Sequence, residues 1–319
     1  MSRRRLAALT GLSVVAAILA GSPAHAVSRA GCAAGTTLGS TTISRAPDST
    51  TYTPAQLRVL QRQLRARLLE RSRSHPADAA SSMSARVGPV LRVPVHVHVI
   101  GGTHSAGVSR KRVLRQLTVL NAAYDGGQSA DNSPTHFAFY LASFQRVRND
   151  SWRYATIGSQ AERTMRRRLH IGGRQDLNVY IAKPPAPAPG QVLLGFSTEP
   201  WQYSGHPKQD GVTLNEGSLP GGRLKGYNLG DTAVHEIGHW LGMLHPFDGR
   251  CTEPNDGVAD TPEEAKPSYS CDETKNTCAS PGLDPVHNFM DYAPDACMDM
   301  FTPDQATRMT DEWLAYRAP

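Results

Sequence analysis

An apolar run over residues 6–20 follows Arg3-Arg4-Arg5 and precedes Ala24-His25-Ala26. A basic start, a short apolar stretch and a small-residue cleavage site predict a signal peptide over residues 1–26, cut after Ala26. The run is too short to span a bilayer, and no other run of that kind follows. Helical spacing appears next, in the stripe Leu57, Leu60, Leu64 and Leu68 set among arginines. Thr53, Pro54 and Gln56 supply its N-cap, first-turn proline and capping-box partner. Residues 72–86 are polar and rich in Pro, Ser and Ala, as a linker would be. Strict alternation then begins. Val93, Val95, Val97 and Val99 share one face of a strand over residues 91–100. His96 and His98 lie on its other face, where ordinary packing is expected. A helix is predicted over 109–124, burying Val113, Leu117, Leu120 and Tyr124. Strands follow at 135–148 and 177–182, with a short helix over 162–169 between them. After the proline-rich loop 184–189, residues 192–197 read as an edge strand. The last helix, 303–316, is capped by Thr302 with Gln305 at the third position, and Ala306, Met309, Trp313 and Tyr316 face inward.

Charge divides the chain unevenly. Its sequence pI is about 9.2, yet the basic excess belongs to its earlier parts. Residues 27–86 hold nine arginines against three acids. Residues 87–230 carry 17 basic and 8 acidic side chains, whereas 231–319 carry 5 and 17, a net of −12. A nucleic-acid-binding domain needs a basic face, so that partner class is excluded. The acidic half suits calcium, basic substrate side chains or a basic prosegment.

The chemistry concentrates in His235-Glu236-Ile237-Gly238-His239, followed by Gly242 and His245. Residues i and i+4 of a helix share one face, so His235 and His239 can address one metal ion. Glu236 stands beside them as a general base for a zinc-bound water. Gly242 permits a sharp exit, because glycine reaches positive φ cheaply. His245 returns as a third ligand. Three protein nitrogens leave a fourth position open, the arrangement of a catalytic zinc site. On the irregular stretch after it, Asp256 and Asp260 with Thr261 are candidate Ca2+ ligands.

Four of the five cysteines, Cys251, Cys271, Cys278 and Cys297, follow this motif. In an exported protein they read as two disulfides, with three pairings open. The fifth, Cys32, lies alone before the helix at 54–68, and its thiolate could fill the open zinc position as a latency ligand.

HExxHxxGxxH followed by Asn288-Phe289-Met290-Asp291-Tyr292 resembles the pappalysin family of metzincin metalloproteases, and His245-Pro246-Phe247 and Asp256–Pro262 are similar to it too. The likeness extends from Val87 onward and is densest over 226–292. It implies a mixed α/β (α+β) fold with a twisted, mostly parallel sheet, an active-site helix and an irregular, disulfide-linked C-terminal subdomain. It also implies zinc on His235, His239 and His245, Glu236 as base, and Met290 as the floor of the site. Tyr292 would bond the tetrahedral intermediate, and the pairings would be Cys251–Cys278 and Cys271–Cys297. The edge strand at 192–197 would receive an extended substrate.

The expectation is a secreted zinc endopeptidase, organised as signal peptide 1–26, prosegment 27–86 and catalytic domain 87–319. It should act as a monomer on protein or peptide substrates, with its own prosegment as inhibitor and a preference for basic residues near the cut. A catalytically silent, zinc-stabilised binding module is the rival from another class, and it has no need of Glu236. Another metzincin branch is the second rival, disfavoured by the wording of 288–292.

Overall fold

The computed structural model describes residues 44, 45, 48, 51–75 and 90–319. The expected signal peptide, Cys32 and most of the expected linker lie outside them.

The described residues form seven strands: β1 (Ser44–Arg45), β2 (Leu91–Gly101), β3 (Phe137–Arg148), β4 (Leu177–Ala182), β5 (Gln191–Val192), β6 (Gly195–Ser197) and β7 (Val212–Asn215). Five of them form one sheet in the order β3-β2-β4-β7-β6. Pairing is parallel throughout except where β6 meets β7. The fold is therefore mixed α/β with a mostly parallel sheet. The four valines of β2 lie buried on one face, as their alternation requires. His96 and His98 occupy the other face and are satisfied by neighbouring strands. His96 contacts Ser143 at 2.8 Å and Asp176 at 3.0 Å, and His98 contacts Asn178 at 2.9 Å. Burial pulls the His98 imidazole down to about 4, so it packs as a neutral ring.

Against the valine face lie α2 (Arg110–Tyr124) and α4 (Asp231–Trp240); α1 is Pro54–Ser74, α3 Gln160–Leu169 and α5 Pro303–Glu312. Ser109 caps α2, Thr53 caps α1, and Thr302 with Gln305 builds a full capping box on α5. Tyr124 donates its hydroxyl to the Val234 carbonyl at 3.1 Å, and Gln116 reaches the Gly230 carbonyl at 2.8 Å. These two bonds fasten α2 to the start of α4.

Three local expectations differ from what is observed. The first turn of the expected linker, Ser72–Ser74, completes α1, because the helical pattern has no breaker there. The expected edge strand splits into β5 and β6. Leu193 and Leu194 are both buried; the Asn215 side chain takes the Leu193 carbonyl at 3.0 Å, while the Leu194 carbonyl accepts the Asn215 backbone N–H at 2.7 Å and the Ser218 hydroxyl at 3.4 Å. The last helix ends at Glu312 and continues as a wider π-type turn over Trp313–Arg317.

Helix α1 lies on the C-terminal elements with Leu57 and Leu64 buried. Arg67 sits 4.6 Å from the Tyr316 ring centroid, Arg71 donates to the Pro319 carbonyl at 3.1 Å, and Arg58 to the Glu253 carbonyl at 3.0 Å. Two disulfides, Cys251–Cys278 and Cys271–Cys297, with Cα separations of 5.4 and 5.6 Å, tie the irregular segment that follows α4. Such links stabilise loop-rich chain mainly by restricting its unfolded state.

Candidate metal centre and active site

Every residue of α4 is buried, so its histidines face the interior of the molecule. The helix ends in a Schellman motif. Met243 N–H bonds to the Gly238 carbonyl and Gly242 N–H to the His239 carbonyl, each at 2.9 Å. Gly242 has φ +91°, and a Cβ there would stand 2.5 Å from Cγ of the buried Glu312. Both facts demand glycine. We therefore expect Gly242→Ala to cost about 2–4 kcal/mol, combining the left-handed penalty with overpacking. Urea unfolding measures this, and a loss under about 1 kcal/mol would contradict the geometry.

The turn made possible by Gly242 brings His245 back toward α4. His239 Nε2 lies 3.1 Å from both His235 Nε2 and His245 Nε2. The outer nitrogens are held: His235 Nδ1 donates to the Phe289 carbonyl at 2.7 Å and His239 Nδ1 to the Met243 carbonyl at 2.8 Å. A carbonyl only accepts, so the Nδ1 atoms carry hydrogens and the bare Nε2 lone pairs point at one another. Three such lone pairs repel unless a cation sits between them. Their spacing approaches the ~3.3 Å edge of a tetrahedron of nitrogens about 2.05 Å from zinc. The residues fit the ion. Asp248 steadies His245, accepting its backbone N–H at 2.9 Å and lying 3.4 Å from its Nδ1. Burial holds His235 well below the usual histidine range and His239 at about 4. Burial also acts against the charged form of His245, but Asp248 and Asp48 outweigh it and lift that ring to about 9. A proton and a metal compete for the same nitrogen.

Glu236 is fully buried, and neither carboxylate oxygen has a hydrogen-bond partner among the described residues. Burial, with Asp48 nearby, pushes its carboxyl well above the ordinary range against the pull of Arg45. The side chain lies flat on β6: a Cβ at Gly195 would stand 2.7 Å from Glu236 Cγ. Met290 lies beneath α4, where a Cβ at Gly238 would meet its sulfur at 2.5 Å. Asn288 shapes that turn, accepting Met290 N–H at 2.9 Å while exchanging bonds with Gln305. Tyr292 packs its ring 5.8 Å from that of His235 and 5.0 Å from that of His245. His235, Glu236, His239, His245, Met290 and Tyr292 thus lie around one place.

The loop donors lie in the segment after His245, where the side chains of Asp256 and Thr261 interact with each other. Asp256 and Thr261 are buried, and burial lifts Asp256 to about 7. Both oxygens of Asp260, however, are taken by Thr302 Oγ1 at 2.6 Å and Asp304 N–H at 2.9 Å, so this carboxylate caps α5.

Four residues of the site were not read from the sequence. Gly195 gives Glu236 room. Glu199, buried and raised to about 7 by that burial, accepts from Tyr52 at 3.2 Å. Asp48 lies among the three histidines, with Oδ2 3.1 Å from His235 Nε2 and Oδ1 3.2 Å from His245 Nε2. Arg45 binds that carboxylate at 2.5 Å. Among the described residues, Asp48, His235, His239 and His245 form the cluster that could hold a metal ion. No local pattern marks Asp48 or Arg45, because neither belongs to a motif of its own.

Residues 204–314 match the family model described as pregnancy-associated plasma protein-A. An extracellular metalloprotease of Neurospora crassa is 38% identical over 236 residues, spanning 72% of this chain and 76% of that protein. Extracellular metalloprotease 1 of Coccidioides posadasii is 35% identical over 231 residues, spanning 72% and 79%. Mature mirolysin of Tannerella forsythia, solved with a cleaved peptide, superposes with a TM-score of 0.59 at 25% identity, over 70% of this chain and 91% of that one. A promirolysin mutant from the same organism shares the fold, with a TM-score of 0.62 at 22% identity over 78% and 92%.

Proposed function

Since the chain belongs to the pappalysin family of metalloproteases, we propose that it is an exported zinc endopeptidase made as a precursor. Residues 1–26 are its signal peptide, 27–86 its prosegment and 87–319 its catalytic domain. One observation carries this reading: three convergent imidazole nitrogens stand beside a buried glutamate whose oxygens are otherwise unengaged. Zinc on His235, His239 and His245 supplies a Lewis acid that polarises the scissile carbonyl and acidifies water. Glu236 takes the proton of the attacking water and passes it to the leaving amine. Tyr292 donates its hydroxyl to the oxyanion that forms on the carbonyl oxygen. Strand β6, at the sheet edge beside Glu236, pairs with the extended peptide. Export agrees with relatives named as extracellular enzymes.

The preferred substrates carry Arg or Lys beside the cleaved bond. Support comes from the acidic half of the domain and from the cleft itself. The Arg45 guanidinium lies 4.0 Å from the Tyr292 ring centroid and reaches the Asp291 carbonyl at 3.5 Å. Nearby, buried Asp295 binds Leu229 N–H and Gly230 N–H through one oxygen, while the other has no hydrogen-bond partner among the described residues. A peptide-library cleavage profile of the processed enzyme tests both statements. Cleavage enriched for Arg or Lys next to the cut is expected. Uniform cleavage would discard the preference, and no cleavage would discard the endopeptidase.

A further inference from the structure

We propose that Asp48 is a fourth metal ligand, supplied by the chain to its own zinc site, and that it keeps the precursor latent until the segment bearing it is removed. This rests on the zinc-protease reading above and adds its regulation.

Asp48 is buried, and its two oxygens lie 3.1, 3.2 and 3.9 Å from the nitrogens of His235, His245 and His239. A carboxylate oxygen set against three convergent imidazole nitrogens, two of whose rings already donate through Nδ1 to backbone carbonyls, is the arrangement of ligands around a shared cation. Three nitrogens and one carboxylate oxygen complete the four-coordinate set that zinc takes when it is structural rather than catalytic. No position is left for water or for a substrate carbonyl.

The approach is secured on both sides. On one side β1 pairs with β5, and Arg45 binds Asp48 while stacking on Tyr292. On the other, Tyr52 donates to Glu199 at 3.2 Å and packs edge-on against Trp201, just before α1 begins. Tyr292 itself donates its hydroxyl to Asp48 Oδ1 at 2.8 Å. The donor assigned to the oxyanion is therefore spent on Asp48, so this carboxylate withholds two parts of the machinery together. Cys32, expected from the sequence to block the zinc, lies outside the described residues. With Asp48 in place it has no coordination position to fill.

The test uses the full-length precursor carrying Glu236→Ala, which cannot process itself, loaded with Co2+ in place of zinc. Asp48→Asn and Cys32→Ser are added separately. Asp48→Asn should alter the visible cobalt spectrum and tighten binding of acetohydroxamate by about tenfold or more, since an open site no longer has to displace an internal ligand. Cys32→Ser should change neither. Asp48→Glu returns a carboxylate and should restore much of the closure, which separates ligation from misfolding. A thiolate-to-cobalt charge-transfer band lost in Cys32→Ser, with Asp48→Asn silent, would overturn the proposal in favour of the cysteine. A precursor that takes up neither cobalt nor zinc would overturn the zinc reading itself, and this proposal with it.

Discussion

Glu236→Ala should keep its zinc and its thermal stability while losing about 10²- to 10⁴-fold in casein cleavage, the range expected for removing a general base. The structure separates these outcomes cleanly. The three imidazoles that would hold zinc are anchored by the Phe289 and Met243 carbonyls and by Asp248, none of which depends on Glu236. Neither Glu236 oxygen makes a hydrogen bond to another described residue, so truncation breaks no buried pair among them. It also removes a carboxylate that burial disfavours in its charged form, which points toward unchanged or slightly raised stability. Glu236→Gln keeps the volume against Gly195 and should be equally inactive, because an amide cannot take the proton. Both variants and the parent should be freed of their N-terminal segment by the same added protease before assay. Comparable casein cleavage by the alanine variant would sink the mechanism.

The second large effect lies behind the active-site helix. Arg317→Ala should destabilise the protein by about 3–5 kcal/mol, the usual cost of leaving a buried charge without its partner. Arg317 is fully buried, with its guanidinium 3.6 Å from the Trp240 ring centroid. It grips Asp210 through two nitrogens at 3.0 and 3.1 Å and donates Nε to the Trp240 carbonyl at 3.0 Å. Trp240 closes the triangle, its indole N–H reaching Asp210 at 2.9 Å. The last residue of α4 is thereby fixed to the chain terminus and to the loop before β7. Loss of the arginine strands the Asp210 charge and removes the donor to an end-of-helix carbonyl. Paired replacement, Asp210→Asn with Arg317→Met, should recover part of the loss, as buried ion pairs often tolerate joint removal better than single removal. Urea titration of Asp210→Asn, Arg317→Met and the double variant measures the coupling. A single-variant loss below about 1 kcal/mol would show that the pair is not what holds the helix end.

Much of the molecule was legible because short-range rules write it. The valines of β2 alternate because a strand does, and the capping boxes at Thr53 and Thr302 work within three residues. His235 and His239 share a face because a helix repeats every 3.6 residues, and Gly242 opens the turn for His245 because it lacks a Cβ. The boundary errors have the same origin turned around. Leu193 and Leu194 fit a strand by composition, yet Asn215 and Ser218, distant in sequence, take their carbonyls. Asp260 also accepts from Thr302 and Asp304, more than 40 residues away, a helix-capping role that its own stretch of sequence does not announce.

By itself, then, the sequence determined the three histidines, the glutamate between them, the methionine turn and the valine strand, since each is encoded by spacing along a helix, a turn or a pleat. Only the tertiary structure decided which remote side chains complete those elements. Tyr292 and Asp48 meet across 244 residues, and Arg317 and Asp210 across 107. A charged pair or a metal ligand brought together over such distances leaves no period in one sequence. Its partner is chosen by where packing delivers the chain, and its charge is tolerated only because that packing also supplies the counter-charge.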